Sequence, residues 1–544
     1  MDNKLFMDQK PRTLSRIIQA LPFLLLLPIL TIPAGPDQSI YAVSGKMLMQ
    51  GMTYYTQVGD LKPPFIHFVY GIANALLGDG VFAPRIIDLL AQWITLFFLI
   101  KLTRRYVLDN WTPTVAATIY ALLYVGLGPD GVGQPESYIG CLLLPAILLV
   151  LGESRPMRLV GAGVVSAMLA LVKYSMLVCP VLFILLPFLL PSPHTPSWKE
   201  RGRASLFIAM GAIPPILLAW WYLTYTGASI DFLQANQFLS SRMQLVLQQG
   251  GIAARVESLG IWFGYSFGLT MTVLLSLGIW NAIAPSQHSN GNKKGMNIDA
   301  RFYTCIALFV ATLFATTVAE LLMFPYQFSR FYAPAALIMA IVICQQRVIQ
   351  RLVAAWKQGT PSAKLIALFL LIIGGMFSAL PHFFLETARG ISWRFSSAAV
   401  NNPWFDANTP VFHDVCEIGD AIRLRAVANS TDLVAISGFA GYLYCYTGIT
   451  PKYRQLHGHF LISPFTPTQW KEELVHYIQQ HQPQFIAIER NDEASAKFVG
   501  ATTSTDKAIA AIPMMTQLLQ QHYDTLLTRH SIILYQARAL STKH

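Results

Sequence analysis

Charged side chains are scarce in this chain. Only 12% of its 544 residues are Asp, Glu, Lys or Arg, against about 25% in soluble globular proteins. With 54% hydrophobic residues and a mean hydropathy of +0.45, an ordinary water-soluble enzyme is excluded. Cysteine is also rare, at six residues, so a disulfide scaffold is excluded. Cys141, Cys179, Cys305 and Cys344 fall in apolar runs and read as small buried hydrophobes. Cys416 and Cys445 lie in the polar C-terminal segment, where a disulfide and two free thiols both remain open. No glycine-rich phosphate loop is found, which argues against a nucleotide-driven machine. His67 and His382 stand without metal-ligand spacing and read as structural. Neither an internal repeat nor a low-complexity tract interrupts the chain.

What is abundant is long apolar sequence, concentrated between residues 14 and 385. Crossing a bilayer takes about 20 apolar residues at 1.5 Å each. Runs such as 21-LPFLLLLPILTIPA-34 and 365-LIALFLLIIGGMF-377 reach or approach that length. The first run lacks a small-residue cleavage site and is expected to stay as a span. The net charge of +11 does not point to nucleic acid. Residues 386–544 carry 13 basic and 13 acidic side chains, so the excess flanks the apolar runs, where it orients a membrane protein.

That bias sets a topology. Lys4, Lys10, Arg12 and Arg16 hold the N-terminus in the cytoplasm. The stretch 63–78 is short for a crossing, and treating it as a non-crossing interfacial or re-entrant helix places Lys101, Arg104 and Arg105 inside. Later basic clusters then follow, among them Arg155/Arg158 and Lys199/Arg201/Arg203. The reading is an α-helical polytopic membrane protein of about eleven spans, at about 17–34, 82–101, 111–128, 137–152, 158–172, 174–190, 205–225, 259–283, 302–323, 331–346 and 365–384. An odd count puts residues 386–544 outside the cytoplasm, as a soluble α/β domain following a membrane domain of residues 1–385. Helices near 412–427, 468–480 and 507–521, strands at 432–438 and 484–490, and a hairpin over 523–537 are expected there.

Polar residues that membrane insertion alone does not explain gather in the outer loops. The first loop, 35–64, opens with Asp37 in an amphipathic helix of about 37–50. It passes through an aromatic turn that includes Tyr55 and ends in Asp60-Leu61-Lys62-Pro63-Pro64. The second carries Asp130 and Glu136; Lys173 caps the next outer turn, and 325–332 contributes Arg330 and Tyr332. A carboxylate there can take a proton from an acceptor hydroxyl, and a cation can hold a departing phosphate. Each residue also has a plainer reading. Asp37 can be a helix N-cap, Asp60 a turn residue, Glu136 a helix start, and Lys62, Lys173 and Arg330 interfacial cations, with Tyr326 and Tyr332 as belt aromatics. Glu320, inside an apolar run, needs a partner or a cavity.

The acidic first loop and its D-x-K-P-P element resemble the bacterial protein-mannosyltransferase-like superfamily, which includes the aminoarabinose transferases and has the GT-C fold. The segments 82-FAPRIIDLL-90, 134-QPESYIG-140, 330-RFYAPAALIMA-340 and 435-AISGFAGYLYCYTGITPKYR-454 are similar in order. This resemblance implies a glycosyltransferase of the bacterial inner membrane, moving a hexose or pentose from a polyprenyl-phosphate donor to a lipid, glycan or protein acceptor. It implies Asp37 as base, with Glu136 and its rival Asp130 as further acids. Lys62, Arg330 and Lys173 would face the donor phosphate, supported by Asp60, Tyr55, Tyr332 and Glu320. The donor is a substrate, so no resident cofactor is expected, and a divalent metal is left open. Two features depart from the pattern: Gln38 stands where a second first-loop acid is usual, and Leu61 where the aminoarabinose branch has an acid. The rival classes are a flippase of lipid-linked sugar, which would show paired broken spans in two halves, and an envelope scaffold, for which Asp37 and Lys62 would be dispensable.

Overall fold

The computed structural model describes residues 12–107, 109–152, 155–191, 197–249, 300–320, 324–345, 379–397, 402–406, 410–426 and 431–538, with scattered positions over 256–276 and at 361 and 364. Most of the expected spans at 259–283 and 365–384 lie outside these residues. Among the described helices, four are long and apolar enough to cross a membrane: 82–106, 198–225, 300–319 and 325–344. Five shorter apolar helices accompany them, including Phe65–Leu77 and Pro156–Val172. The chain is thus a multi-pass membrane protein in which the stretch after the twin prolines forms a helix of only 13 residues. Two compact units emerge.

The first comprises residues 1–32, 88–217 and 252–391. Its centre is the helix Tyr332–Gln345, buried along nearly its whole length and packed on Thr112–Val125. Apolar residues on every face account for that position. The helices Pro156–Val172 and Trp198–Tyr225 meet through glycines: a Cβ on Gly163 would strike the Ile208 carbonyl, and one on Gly211 the Val160 carbonyl. Small residues allow such a close approach where lipid supplies no hydrophobic drive between helices. A buried polar ladder steadies the loop 128–138. Asp88 accepts hydrogen bonds from Tyr124 Oη and Gln92 Nε2, both at 2.7 Å, and Gln92 also donates to the Ser137 carbonyl at 3.1 Å.

The second unit comprises residues 33–87, 218–251 and 392–544. The helices Pro36–Met49 and Phe65–Leu77 touch at Gly45 and Gly71, where a Cβ on Gly45 would lie 2.5 Å from the Gly71 nitrogen. The C-terminal part holds a four-stranded sheet in the order β1-β2-β4-β3, from β1 (Leu433–Ile436), β2 (Phe485–Glu489), β3 (Tyr523–Thr528) and β4 (Ile532–Ala537). β1 and β2 pair in parallel and the other neighbours are antiparallel, with β3 and β4 forming the terminal hairpin. β1 is wholly apolar and β2 apolar up to Glu489, and both are buried throughout. The helix expected over 507–521 is instead two, Thr505–Ala510 and Met515–His522. Pro513 stands between them, and Met514 adopts left-handed backbone with φ +67°. Cys416 and Cys445 are free thiols, and the Cys445 Sγ lies 3.6 Å from the Ser39 carbonyl oxygen.

Candidate active site

Asp37 sits in the first turn of the Pro36–Met49 helix. Gly35 occupies the N-cap position and Pro36 follows it, so the Asp37 carboxylate is left for another partner. That partner is Lys62, whose Nζ lies 2.9 Å from Asp37 Oδ2. The two side chains are 27% and 31% exposed, enough to meet solvent or a substrate. Burial pushes the Asp37 carboxyl up, but the Lys62 charge and hydrogen bond outweigh it and hold the group below its ordinary value of 3.8. Lys62 also donates to Tyr41 Oη, one helical turn beyond Asp37, and its ammonium lies 4.6 Å from the Tyr41 ring centroid. Its carbonyl accepts from Tyr54 Oη at 2.8 Å and Tyr55 Oη at 3.3 Å. The twin prolines and two phenols therefore fix the lysine backbone, while the ammonium is held by Asp37 and Tyr41.

Asp60 turns away from this pair, toward His67. Its Oδ2 lies 3.2 Å from His67 Nε2, and its Oδ1 accepts from the Leu61 N–H at 2.5 Å. The Ser44 hydroxyl donates to the Ile40 carbonyl, so its oxygen can accept from His67 Nδ1, 2.7 Å away. Burial raises the Asp60 carboxyl, yet His67, Lys62 and the Leu61 N–H bring it down to about 2. His67 is thus no isolated core histidine. It links Asp60 to the helix that bears Asp37.

A second histidine, His457, carries no signal in the sequence, because its partners are some four hundred residues away. The Gly59 N–H donates to the Arg454 carbonyl at 2.9 Å, which brings the segment 454–459 beside the D-x-K-P-P element. His457 there stacks on Phe460, with centroids 4.4 Å apart, and lies within electrostatic reach of Asp37, Asp60 and Lys62. Burial and the neighbouring His459 cation pull its basicity down to about 3, so it stays neutral. His459 is clamped by Asp492 at 2.9 Å and Glu489 at 3.5 Å; burial opposes its charge, but these carboxylates raise it to about 9. Burial, and after it the cation at His459, disfavours a charge at His457. The three groups His459, Glu489 and Asp492 are close enough to hold a metal ion. However, Glu489 Oε2 already accepts from Ser437 Oγ and the Gly438 N–H, both at 2.7 Å. Asp492 accepts from Thr505 through both oxygens. This donor set fits an imidazolium.

The other expected residues gather in the first unit. Arg330, 1% exposed, forms two hydrogen bonds to Glu320, at 2.8 and 2.9 Å, and reaches Glu136 at 3.3 Å. Lys173 pairs with the same carboxylates, lying 2.7 Å from Glu320 and in contact with Glu136. Glu320 therefore has the partners that an acid inside an apolar run requires. Two cations shared by two carboxylates balance in charge, so an anion enters this cluster only by displacing one of them. Asp130 is not part of it: exposed in the turn Gly128–Gly131, it accepts through its carbonyl from Gln134. Tyr332 is buried and packs edge-on against Phe267, 5.2 Å away, as a core aromatic.

Residues 61–221 match the model of the dolichyl-phosphate-mannose-protein mannosyltransferase family, a stretch that includes Lys62, Glu136 and Lys173 and leaves Asp37 outside. No curated protein matches the chain by sequence. Among solved structures, ArnT from Cupriavidus metallidurans bound to undecaprenyl phosphate is similar with a TM-score of 0.53 at 12% identity, over 97% of this chain and 98% of that one. The same protein in its apo state gives 0.54, at 12% identity over 96% and 98%. The oligosaccharyltransferase of Archaeoglobus fulgidus tethered with an acceptor peptide gives 0.51 at 11% identity, over 97% and 74%. The chain has the fold of the GT-C glycosyltransferases.

Proposed function

With the GT-C fold as premise, we infer that this protein is a glycosyltransferase that moves a sugar from a polyprenyl-phosphate donor to a lipid, glycan or protein acceptor at the outer face of a bacterial inner membrane. The observation that carries this reading is the Asp37–Lys62 pair, 2.9 Å apart and open to approach. The undecaprenyl phosphate bound to the similar ArnT supports the donor class.

In the resting state Lys62 masks Asp37. A donor phosphate would draw the ammonium to itself, and loss of that cation would leave burial free to raise the Asp37 carboxyl, making it a stronger base. Asp37 would then accept the proton of the acceptor hydroxyl while that oxygen bonds to the anomeric carbon. The bond from that carbon to the phosphate oxygen breaks, its electron pair stays on the phosphate, and Lys62 balances the new charge. The products are the glycosylated acceptor, polyprenyl phosphate and a proton on Asp37. Glu136, with Asp130 as its rival, is assigned to orienting donor or acceptor, and Lys173 and Arg330 to the donor headgroup. Asp60, Tyr55, Tyr332 and Glu320 support these groups, and the soluble part is assigned to 386–544.

The test compares membranes from cells with Asp37, with Asp37→Asn and without the protein, by mass spectrometry of envelope glycolipids and glycoproteins. Asp37→Asn should accumulate normally and lose transfer by at least about 100-fold, the usual contribution of a positioned base. A glycan pattern in that variant equal to the parent's would remove the reading.

A further inference from the structure

The C-terminal part contains a feature that transfer chemistry does not use. A cavity of about 340 Å³ opens between the end of the helix Thr468–His481 and the helix Met515–His522. Its size is at the lower end of the range for small-molecule sites, about 300–1,000 Å³, too small for a lipid chain and adequate for one or two sugar rings. None of its lining residues is Asp, Glu, Lys or Arg. Apart from the imidazole of His522, a phosphate or carboxylate would find no cationic partner in the lining, which favours neutral ligands as its natural occupants.

Four glutamines ring it instead: Gln479, Gln482, Gln517 and Gln521. All four are exposed, and Gln517 and Gln521, four apart on one helix, project from the same face. Each amide offers two donors and an acceptor, the mixed complement that a polyol demands. The floor is of opposite character, formed by buried Ile478 and Leu518. An apolar floor under an amide rim matches a pyranose, which has one C–H face and a girdle of hydroxyls.

Two further observations point to a ligand. Tyr523 lines the cavity, and its hydroxyl is buried with no hydrogen-bond partner among the described residues. Leaving such a group unpaired costs about 1–3 kcal/mol, which a ligand hydroxyl would recover. The backbone is also strained at the cavity edge: Gln482 at φ +43° and Met514 at φ +67° are two of only four left-handed non-glycine residues described. Strain of this kind concentrates where function holds it.

We propose that this cavity binds a neutral saccharide of one or two rings, as a carbohydrate site that shares no residue with the Asp37–Lys62 pair. The proposal stands independently of the transferase reading, since it needs only binding. The test is saturation-transfer difference NMR on the full-length protein in an amine-oxide detergent, which contains no sugar. The probes are methyl α-mannoside, methyl β-glucoside, N-acetylglucosamine, arabinose and maltose at millimolar concentration, with glucose 1-phosphate as the anionic comparison. At least one neutral probe should show transfer, and glucose 1-phosphate should show none. The signal should fall at least tenfold in Gln517→Ala/Gln521→Ala, whose exposed helical positions tolerate alanine, and should also weaken in Tyr523→Phe, which preserves the packing. Silence from all five neutral probes overturns the proposal, and so does a signal that persists in the double variant.

Discussion

Lys62 concentrates the residue-scale argument, because one ammonium touches Asp37 and Tyr41 and stands within electrostatic reach of Asp60. Replacing it with alanine should have two separable effects. The apparent KM for a polyprenyl-phosphate donor should rise at least about tenfold, since a charge-assisted contact to the phosphate is lost. Asp37 should also titrate higher: burial raises its carboxyl and Lys62 lowers it, so removing Lys62 leaves burial to dominate. The acid limb of kcat/KM should therefore move to higher pH in Lys62→Ala than in the parent. A pH–rate series on both forms checks this, and an unshifted limb with an unchanged KM would detach Lys62 from both roles. Asp37 and Lys62 were legible in the sequence because a carboxylate and a lysine bracket a loop that is longer than a connector needs. His67 and His457 were not, because the sequence shows neither Asp60 turning toward His67 nor Gly59 pairing with Arg454.

At the scale of elements, the helix bearing Asp37 is positioned by its contact with the helix that follows Lys62. A Cβ at Gly45 would lie 2.5 Å from the Gly71 nitrogen and 2.6 Å from the His67 carbonyl, both backbone atoms that cannot yield without moving a helix. Gly45→Ala should therefore destabilise by about 1–3 kcal/mol, as overpacking does, and should lower transfer by displacing Asp37. Gly202, also helical, has open space within 4 Å of where a Cβ would stand, so Gly202→Ala should hold or slightly raise the melting temperature. Thermal denaturation of the two variants in one detergent checks the contrast; equal behaviour would show that the close crossing does not matter. Element types were largely readable from apolar runs and from strand patterns such as 484–490. The break at Pro513 has a local cause, since a proline inside the expected helix removes a backbone hydrogen bond, but only the fold shows a second helix beginning after it.

At the scale of the whole molecule, stability should depend on pH through His459, set between Glu489 and Asp492 with His457 beside it. The folded group titrates at about 9 and an unfolded histidine at about 6.5. A raised folded value stabilises fully below the unfolded one and loses that contribution as pH climbs through the folded one, here between about 6.5 and 9. The loss is on the order of 3 kcal/mol. Melting temperature should fall across that window in the parent and fall less in His459→Gln, and parallel curves would sink the assignment. By itself the sequence determined that this is a many-span membrane protein with polar loops and an α/β tail, because hydropathy and charge bias are local sums along the chain. The tertiary structure alone decided which charges meet: Asp37 with Lys62, Asp60 with His67, and Lys173 and Arg330 with Glu136 and Glu320. Those pairings depend on distances through space, and side chains far apart in the chain carry no local signal of their partners.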